Sequence, residues 1–328
     1  MPRVFSGIQP SGELHIGNYL GAVKNWVALQ DRYECFFSIV DLHAITQPYE
    51  PAELSQRTFD MAVGLLAAGL DPDKCTVFVQ SHVPQHTALM WAFNTVAPLG
   101  ELERQTQYKD KSARVESVPA GLLNYPVLQA ADILLFRAEL VPVGEDQLQH
   151  LELAREIARR FNARFGETFF PEPQPMLTGA TRIVGLDGQA KMSKSLGNTI
   201  GVLEDAESIW QKLRPAMTDP ARKTKKDPGN PEVCNIYSLH QHFSPPETVQ
   251  EVAANCRSAA WGCLDCKRVL ADRMIAELAP VRERAAALRS RPERVREVLA
   301  AGAERCRRLA AETMAGVGRL MGFLPAGV

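Results

Sequence analysis

The chain lacks several things that would set its class at once. No apolar run in its 328 residues approaches the ~18 needed to cross a membrane, so it carries no transmembrane helix signal. No apolar signal segment precedes the first strand: Met1-Pro2-Arg3-Val4 leads straight into it, and a cytoplasmic protein is expected. There is no internal repeat and no long low-complexity stretch. Charge of one sign is also missing: 37 basic and 38 acidic residues leave a net charge of −1. Any nucleic-acid contact must therefore come from local patches, not from the overall field. What remains is a globular composition, 45% apolar and 23% charged, long enough for two domains or for one with an appendage.

The N-terminal half alternates strand and helix. Val4-Phe5-Ser6, Cys35 to Val40, Thr76 to Val79 and Val141-Pro142-Val143 read as short buried strands. Helices are expected from Ile16, from Pro51 to about Leu70, and from Pro84 to Leu99. This order predicts an α/β fold with a Rossmann-like parallel sheet, whose ligands gather at the strand carboxyl ends. Those ends are Ser6-Gly7, Val40-Asp41 and Gln80-Ser81. Glu101–Lys111 and Pro126–Arg137 read as helices that interrupt the alternation, and another runs from Gln147 to about Phe165. Beyond Lys194 the pattern is almost wholly helical, near 203–216, 246–255, 267–289 and 293–321. Pro280 is expected to kink or split the third of these.

Two distant segments carry phosphate chemistry. The first is Pro10-Ser11-Gly12-Glu13-Leu14-His15-Ile16-Gly17-Asn18, placed between a strand and a helix. Such a turn offers free backbone N–H groups to an anion. Gly17 lets a nucleotide ring approach the backbone. His15 and Asn18 can donate to phosphate oxygens as charge develops. The second is Lys191-Met192-Ser193-Lys194-Ser195, flanked by turn formers at Leu186–Gln189 and Gly197-Asn198. Its lysines are expected on a mobile loop that closes on a leaving pyrophosphate and releases it. Gly144-Glu145-Asp146 places a third turn at a strand end, suited to a ribose hydroxyl or a base edge, or serving as a plain acidic N-cap.

Seven cysteines form the other pattern. Cys234, Cys256, Cys263 and Cys266 are spaced C-x21-C-x6-C-x2-C, a set able to hold a tetrahedral metal ion or a cubane cluster. Gly262 allows the tight turn such a pair needs. Unligated thiols are the plain alternative. Cys35 and Cys75 read as core residues, and Cys306 as unligated.

Taken together, the two phosphate segments resemble the ATP signatures of class I aminoacyl-tRNA synthetases. Phe5–Gly12, Val40–Thr46, Gly100–Arg104, Lys109–Ala113, Ala130–Leu134 and Val141–Gln147 further resemble bacterial-type tryptophanyl-tRNA synthetases, more closely than the tyrosine enzymes of the same fold. The resemblance implies a ligase that activates L-tryptophan with ATP and Mg²⁺ to tryptophanyl-adenylate. It would then acylate the terminal ribose of tRNA(Trp), as a homodimer joined through residues 100–165. Asp132 would accept the indole N–H, and Tyr125 and Gln147 would hold the ammonium. Phe5, Gly7, His43, Ile133, Val141 and Val143 would line the indole pocket. ATP would meet Gln9, Pro10, Ser11, Gly17, Asn18, Gly144, Glu145, Asp146, Ile183 and the loop residues Lys191, Met192, Ser193, Lys194 and Ser195. Lys111, Lys191 and Lys194 would contact the phosphates, and with His15 and Asn18 form the catalytic set.

The resemblance also implies a catalytic domain over 1–185. A helical tRNA-binding domain would span 186–328, with its last helix returning to the catalytic domain. A subset of the family carries a [4Fe–4S] cluster on a nearly identical cysteine spacing, so that cluster is expected here, with Zn²⁺ as the alternative. The family commonly has Met where this chain has Gln129, which either bonds Asp132 or the ligand, or points away. Arg222-Lys223-Thr224-Lys225-Lys226 can track phosphates or be a solvated loop. Arg282, Arg289 and Arg296 read as a salt-bridged helix face first and an RNA surface second.

Overall fold

The computed structural model describes residues 1–113, 116–177 and 183–325; the side chains of Lys111, Glu145 and Ser195, all expected site residues, lie outside the described residues. Five parallel strands form one sheet: β1 (Arg3–Ile8), β2 (Glu34–Ile39), β3 (Thr76–Val79), β4 (Leu140–Val143) and β5 (Gln174–Leu177). Their order is β3-β2-β1-β4-β5. Side chains of a strand alternate between faces, and here both faces are apolar. Val4, Ile8, Cys35, Phe37, Ile39, Val77 and Val79 enter one core. Phe5, Phe36 and Phe78 enter the other. The first core is closed by helices Pro51–Ala67 and Cys263–Arg289, the second by Ala120–Leu135, Leu148–Phe165 and Pro292–Met321.

That order creates the crevice. The chain lays β2 and β3 to one side of β1, then crosses back to place β4 and β5 on the other. Two neighbouring connections diverge at the carboxyl ends of β1 and β4, leaving space between them.

Several elements differ from expectation for physical reasons. β5 has no apolar pattern and contains Pro175; proline is tolerated there because the strand lies at the sheet edge. Helix Ala120–Leu135 starts six residues before Pro126 and runs through it. Burial of Leu122, Val127 and Leu128 outweighs the lost hydrogen bond. Pro280 likewise lies inside the helix Cys263–Arg289 and does not split it. Helix Asn235–Phe243 was not expected, although Ile236, Leu239 and Phe243 recur at helical spacing and form its buried face.

The last helix, Pro292–Met321, lies against β3. Gly302 makes this possible, because a Cβ there would sit 2.1 Å from the Val77 carbonyl oxygen. Arg289 pairs with Asp60 at 3.4 Å, and Arg296 lies over the Phe59 ring. Both therefore brace the helix Pro51–Ala67, in place of the intrahelical glutamate pairs expected for this face.

Candidate active site

The two phosphate segments, distant in sequence, fold against each other. Ile16 N–H donates to the Ile200 carbonyl and Val202 N–H to the Leu14 carbonyl, so the chain after the lysine loop zips onto the first segment. Gly12 has φ +128°, a conformation suited to glycine, and a Cβ there would lie 3.1 Å from the Lys194 side chain. A Cβ on Gly17 would approach His15 at 3.0 Å and Met192 at 3.2 Å. Lys194 is thus held over the glycine turn while Met192 is buried beneath it.

The lysine loop is braced. Asn198 Oδ1 accepts from the Ser193 N–H at 2.8 Å, and its Nδ2 donates to Asp187 Oδ2 at 2.8 Å. Lys194 begins a single 3-10 turn rather than a long helix. Ile183 contributes its backbone by accepting from Met192 N–H at 3.0 Å. Lys191 remains exposed, with Nζ 3.8 Å from Asp146 Oδ2 across the crevice.

His15 caps the helix start, its Nδ1 accepting from Asn18 N–H at 3.3 Å. Burial and the neighbouring charges of Lys194 and Lys191 lower its pKa to about 4. The ring is therefore neutral near pH 7 and carries its hydrogen on Nε2, as a donor. Burial also lowers Lys194 to about 8, with Glu13 opposing the shift. Gln9 and Ser11 are exposed at the same end of β1 and Pro10 is buried. Gly144 gives Asp146 room: a Cβ would sit 2.8 Å from Asp146 Oδ1.

Asp132 is 1% exposed on helix Ala120–Leu135. A buried carboxylate needs donors, and this one has them. His43 Nε2 lies 2.7 Å from Oδ2, and Gln80 Nε2 donates to Oδ1 at 2.7 Å. His86 Nδ1 is also 2.7 Å from Oδ1, but neither ring nitrogen points along a linear hydrogen bond. That contact is electrostatic. Burial pushes the Asp132 carboxyl up, yet His43 and His86 outweigh it and hold the group well below the usual carboxylate range. A carboxylate offers about four acceptor positions. Phe5, Ile133, Val141 and Val143 are buried in one apolar cluster. Gly7 sits against Val40, where a Cβ would reach 2.8 Å.

A second polar group joins Tyr125 and Gln147. The Tyr125 hydroxyl is 3.0 Å from His150 Nε2, and His150 Nδ1 is 3.0 Å from Gln147 Oε1. Burial raises Tyr125 to about 12, so it stays a neutral phenol. Gln129 donates to Gln147 Oε1 at 3.4 Å rather than to Asp132. Sequence reasoning missed Gln80, His86 and His150. Gln80 closes β3, so a strand-end signal existed; His150 lies three residues after Gln147, one helical turn away. His86 had no signal beyond being a polar residue on an apolar helix.

The four clustered cysteines line one cavity with Arg222 and Trp261. All seven cysteines are free thiols. Among the described residues, no three Cys, His, Asp or Glu side chains converge tightly enough to hold a single metal ion. Arg222 turns inward, its Nη1 3.8 Å from Cys263 Sγ and its Nη2 donating to the Trp261 carbonyl at 2.7 Å. It therefore leaves the basic run, whose Lys223, Lys225 and Lys226 stay exposed. Among the described residues no helix is long and apolar enough to cross a membrane.

Comparison with known proteins gives a consistent answer. The family described as tRNA synthetases class I (W and Y) matches residues 1–279. The chain is 56% identical over 329 residues to a tryptophan–tRNA ligase of Deinococcus radiodurans, covering 99% of each. It is 46% identical to that of Caldanaerobacter subterraneus, again covering 99% of each. A crystal structure of Campylobacter jejuni tryptophanyl-tRNA synthetase, complexed with ADP and tryptophan, superposes with a TM-score of 0.89 at 36% identity. It covers 98% of this chain and 100% of that one.

Proposed function

The chain belongs to the class I tRNA synthetase family of the tryptophan and tyrosine enzymes, and on that premise we infer that it activates L-tryptophan with ATP and charges tRNA(Trp). It is an aminoacyl-tRNA synthetase with a Rossmann-like sheet and a helical C-terminal region. One observation supports the reading of the site: Lys194 and Met192 pack on Gly12 and Gly17 after β1, and Lys191 reaches Asp146 after β4. In this reading phosphate donors and an indole acceptor face one space.

The tryptophan carboxylate attacks the α-phosphorus of ATP, the bond to pyrophosphate breaks, and the adenylate stays bound. Mg²⁺ accompanies the triphosphate and shares its charge. In our reading the protein positions the reactants and stabilises charge, with no covalent enzyme intermediate. Lys194, Lys191 and Lys111 meet the phosphates, and His15 Nε2–H and Asn18 add neutral donors. Gln9, Ser11, Gly144 and Asp146 hold the rest of the nucleotide. Asp132 receives the indole N–H on its remaining acceptor position, and Tyr125 and Gln147 receive the ammonium. A tRNA ribose hydroxyl then takes the acyl group.

Residues 1–185 form the catalytic unit in this reading, and 186–328 carry the lysine loop and the tRNA-facing helices. Lys223, Lys225 and Lys226 supply a salt-sensitive phosphate contact. Exposed Val118 and Leu148 support a homodimer face in the 100–165 region. The cytoplasm, where tRNA is charged, is the expected compartment.

Cys234, Cys256, Cys263 and Cys266 would hold a [4Fe–4S] cluster. The four sulfurs line one cavity, a donor set that would serve Zn²⁺ as the alternative. Arg222, beside Cys263, offsets thiolate charge.

Amino-acid-dependent ATP–pyrophosphate exchange, run with tryptophan and tyrosine in parallel, tests the function. Exchange with tryptophan alone is expected. Exchange with tyrosine alone would keep the mechanism and overturn the pocket. No exchange from folded protein would overturn both.

A further inference from the structure

His150 is buried in the first turn of the helix Leu148–Phe165, between Tyr125 and Gln147. Hydrogen directions in such a group follow from its neighbours. Asp146 provides the fixed end, since an ionised carboxylate only accepts. Gln147 Nε2, 3.3 Å from Asp146 Oδ2, must therefore be the amide nitrogen on that side. Its Oε1 then faces His150, and the Gln129 donor on the same oxygen agrees with that orientation. An amide oxygen only accepts, so His150 carries its hydrogen on Nδ1. In the neutral ring Nε2 becomes an acceptor, and the Tyr125 hydroxyl donates to it. Gln107 Oε1, at 3.3 Å, is the longer alternative for that hydroxyl.

The consequence reaches the substrate. An α-ammonium has three donors and no acceptor, so it needs oxygens rather than hydrogens turned towards it. We propose that His150 is a positioning residue for the tryptophan ammonium: with Asp146 it fixes the polarity of Tyr125 and Gln147 so that both present oxygen to the substrate. This rests on the reading that Tyr125 and Gln147 receive the ammonium. Without the relay the tyrosine hydroxyl can turn its hydrogen inward and the amide can flip. Each change replaces an attraction by a repulsion.

The test compares L-tryptophan with 3-indolepropionate, which keeps the indole and the carboxylate but has no ammonium. Both are titrated calorimetrically into the full-length protein without ATP. In His150→Leu the ratio of tryptophan to indolepropionate affinity should fall roughly ten- to a hundred-fold, the weight of a hydrogen bond to a charged group. Indolepropionate binding should stay within about three-fold, because the relay does not touch the indole. Equal weakening of both ligands would mean a merely structural role and overturn the proposal. Should His150→Leu fail to fold, Asp146→Ala carries the same test, since Asp146 is exposed and its removal takes away the acceptor that holds the Gln147 amide. An unchanged ratio in that variant overturns the relay. Tyr125→Phe separates the two levels. If it lowers the ratio while His150→Leu does not, the relay alone fails; if it leaves the ratio unchanged, the ammonium reading itself fails.

Discussion

In the proposed reading the nucleotide cradle and the amino-acid pocket serve one reaction, yet they are built in opposite ways. The cradle is shallow and made of loops: Gln9, Ser11 and Lys191 are exposed, and backbone turns at Gly12 and Gly17 shape it. Its donors are left for the ligand. The pocket is buried and already bonded: His43 and Gln80 hold Asp132, and His150 joins Tyr125 to Gln147, before any substrate arrives. ATP brings strong charge and supplies its own binding energy, so an open frame suffices. An indole offers a single N–H, so discrimination requires a pre-set acceptor whose other positions are filled.

The sharpest way to break this contrast is at Lys194. Lys194→Ala should slow tryptophan-dependent pyrophosphate exchange by about 10²- to 10³-fold while leaving tryptophan binding intact. Loss of tryptophan affinity with unchanged turnover would place Lys194 in the pocket instead of the cradle.

Asp132→Asn comes next. It should weaken tryptophan binding by roughly ten- to a hundred-fold and leave the KM for ATP nearly unchanged. Equal loss for both substrates would show that the two regions are one cooperative unit. The measurement is steady-state exchange with each substrate varied in turn.

Acidity offers a third probe. Lys194, lowered to about 8 by burial, is charged below that pH and neutral above it. The free-enzyme parameter kcat/KM for ATP should therefore fall as pH rises through about 8, by up to tenfold per pH unit. Lys194→Arg, whose guanidinium stays charged, should remove that limb. A limb that persists in the arginine variant would assign it to another group.

The smallest effect is expected at Gln129, which occupies Gln147 Oε1 at 3.4 Å. Gln129→Met removes a donor that competes with the ammonium and should tighten tryptophan two- to five-fold, roughly one weak hydrogen bond. Weaker binding in a titration would mean that Gln129 supports the pocket rather than competing.

Legibility followed the same division. Four of the five strands were readable from their apolar runs, because a strand buried on both faces must be apolar throughout. β5 was not, since an edge strand with Pro175 needs no such run. The cradle was readable because turn glycines and loop lysines are local chemistry. The donors around Asp132 were not. Gln80 and His86 come from other elements and matter only because the sheet and helix Gln85–Asn94 bring them within 2.7 Å of one carboxylate. Arg222 shows the reverse error: a basic run in sequence loses its first member to the cysteine cavity once folded.

By itself, then, the sequence determined the alternation of strand and helix, the two phosphate segments and the four-cysteine spacing, because periodicity and turn chemistry are properties of neighbours along the chain. Only the tertiary structure decided that Lys194 rests over Gly12, that Asp132 is held ionised by His43 and His86, and that His150 joins Tyr125 to Gln147. Those pairings depend on how helices cross the sheet, and burial makes each of them costly to leave unmade.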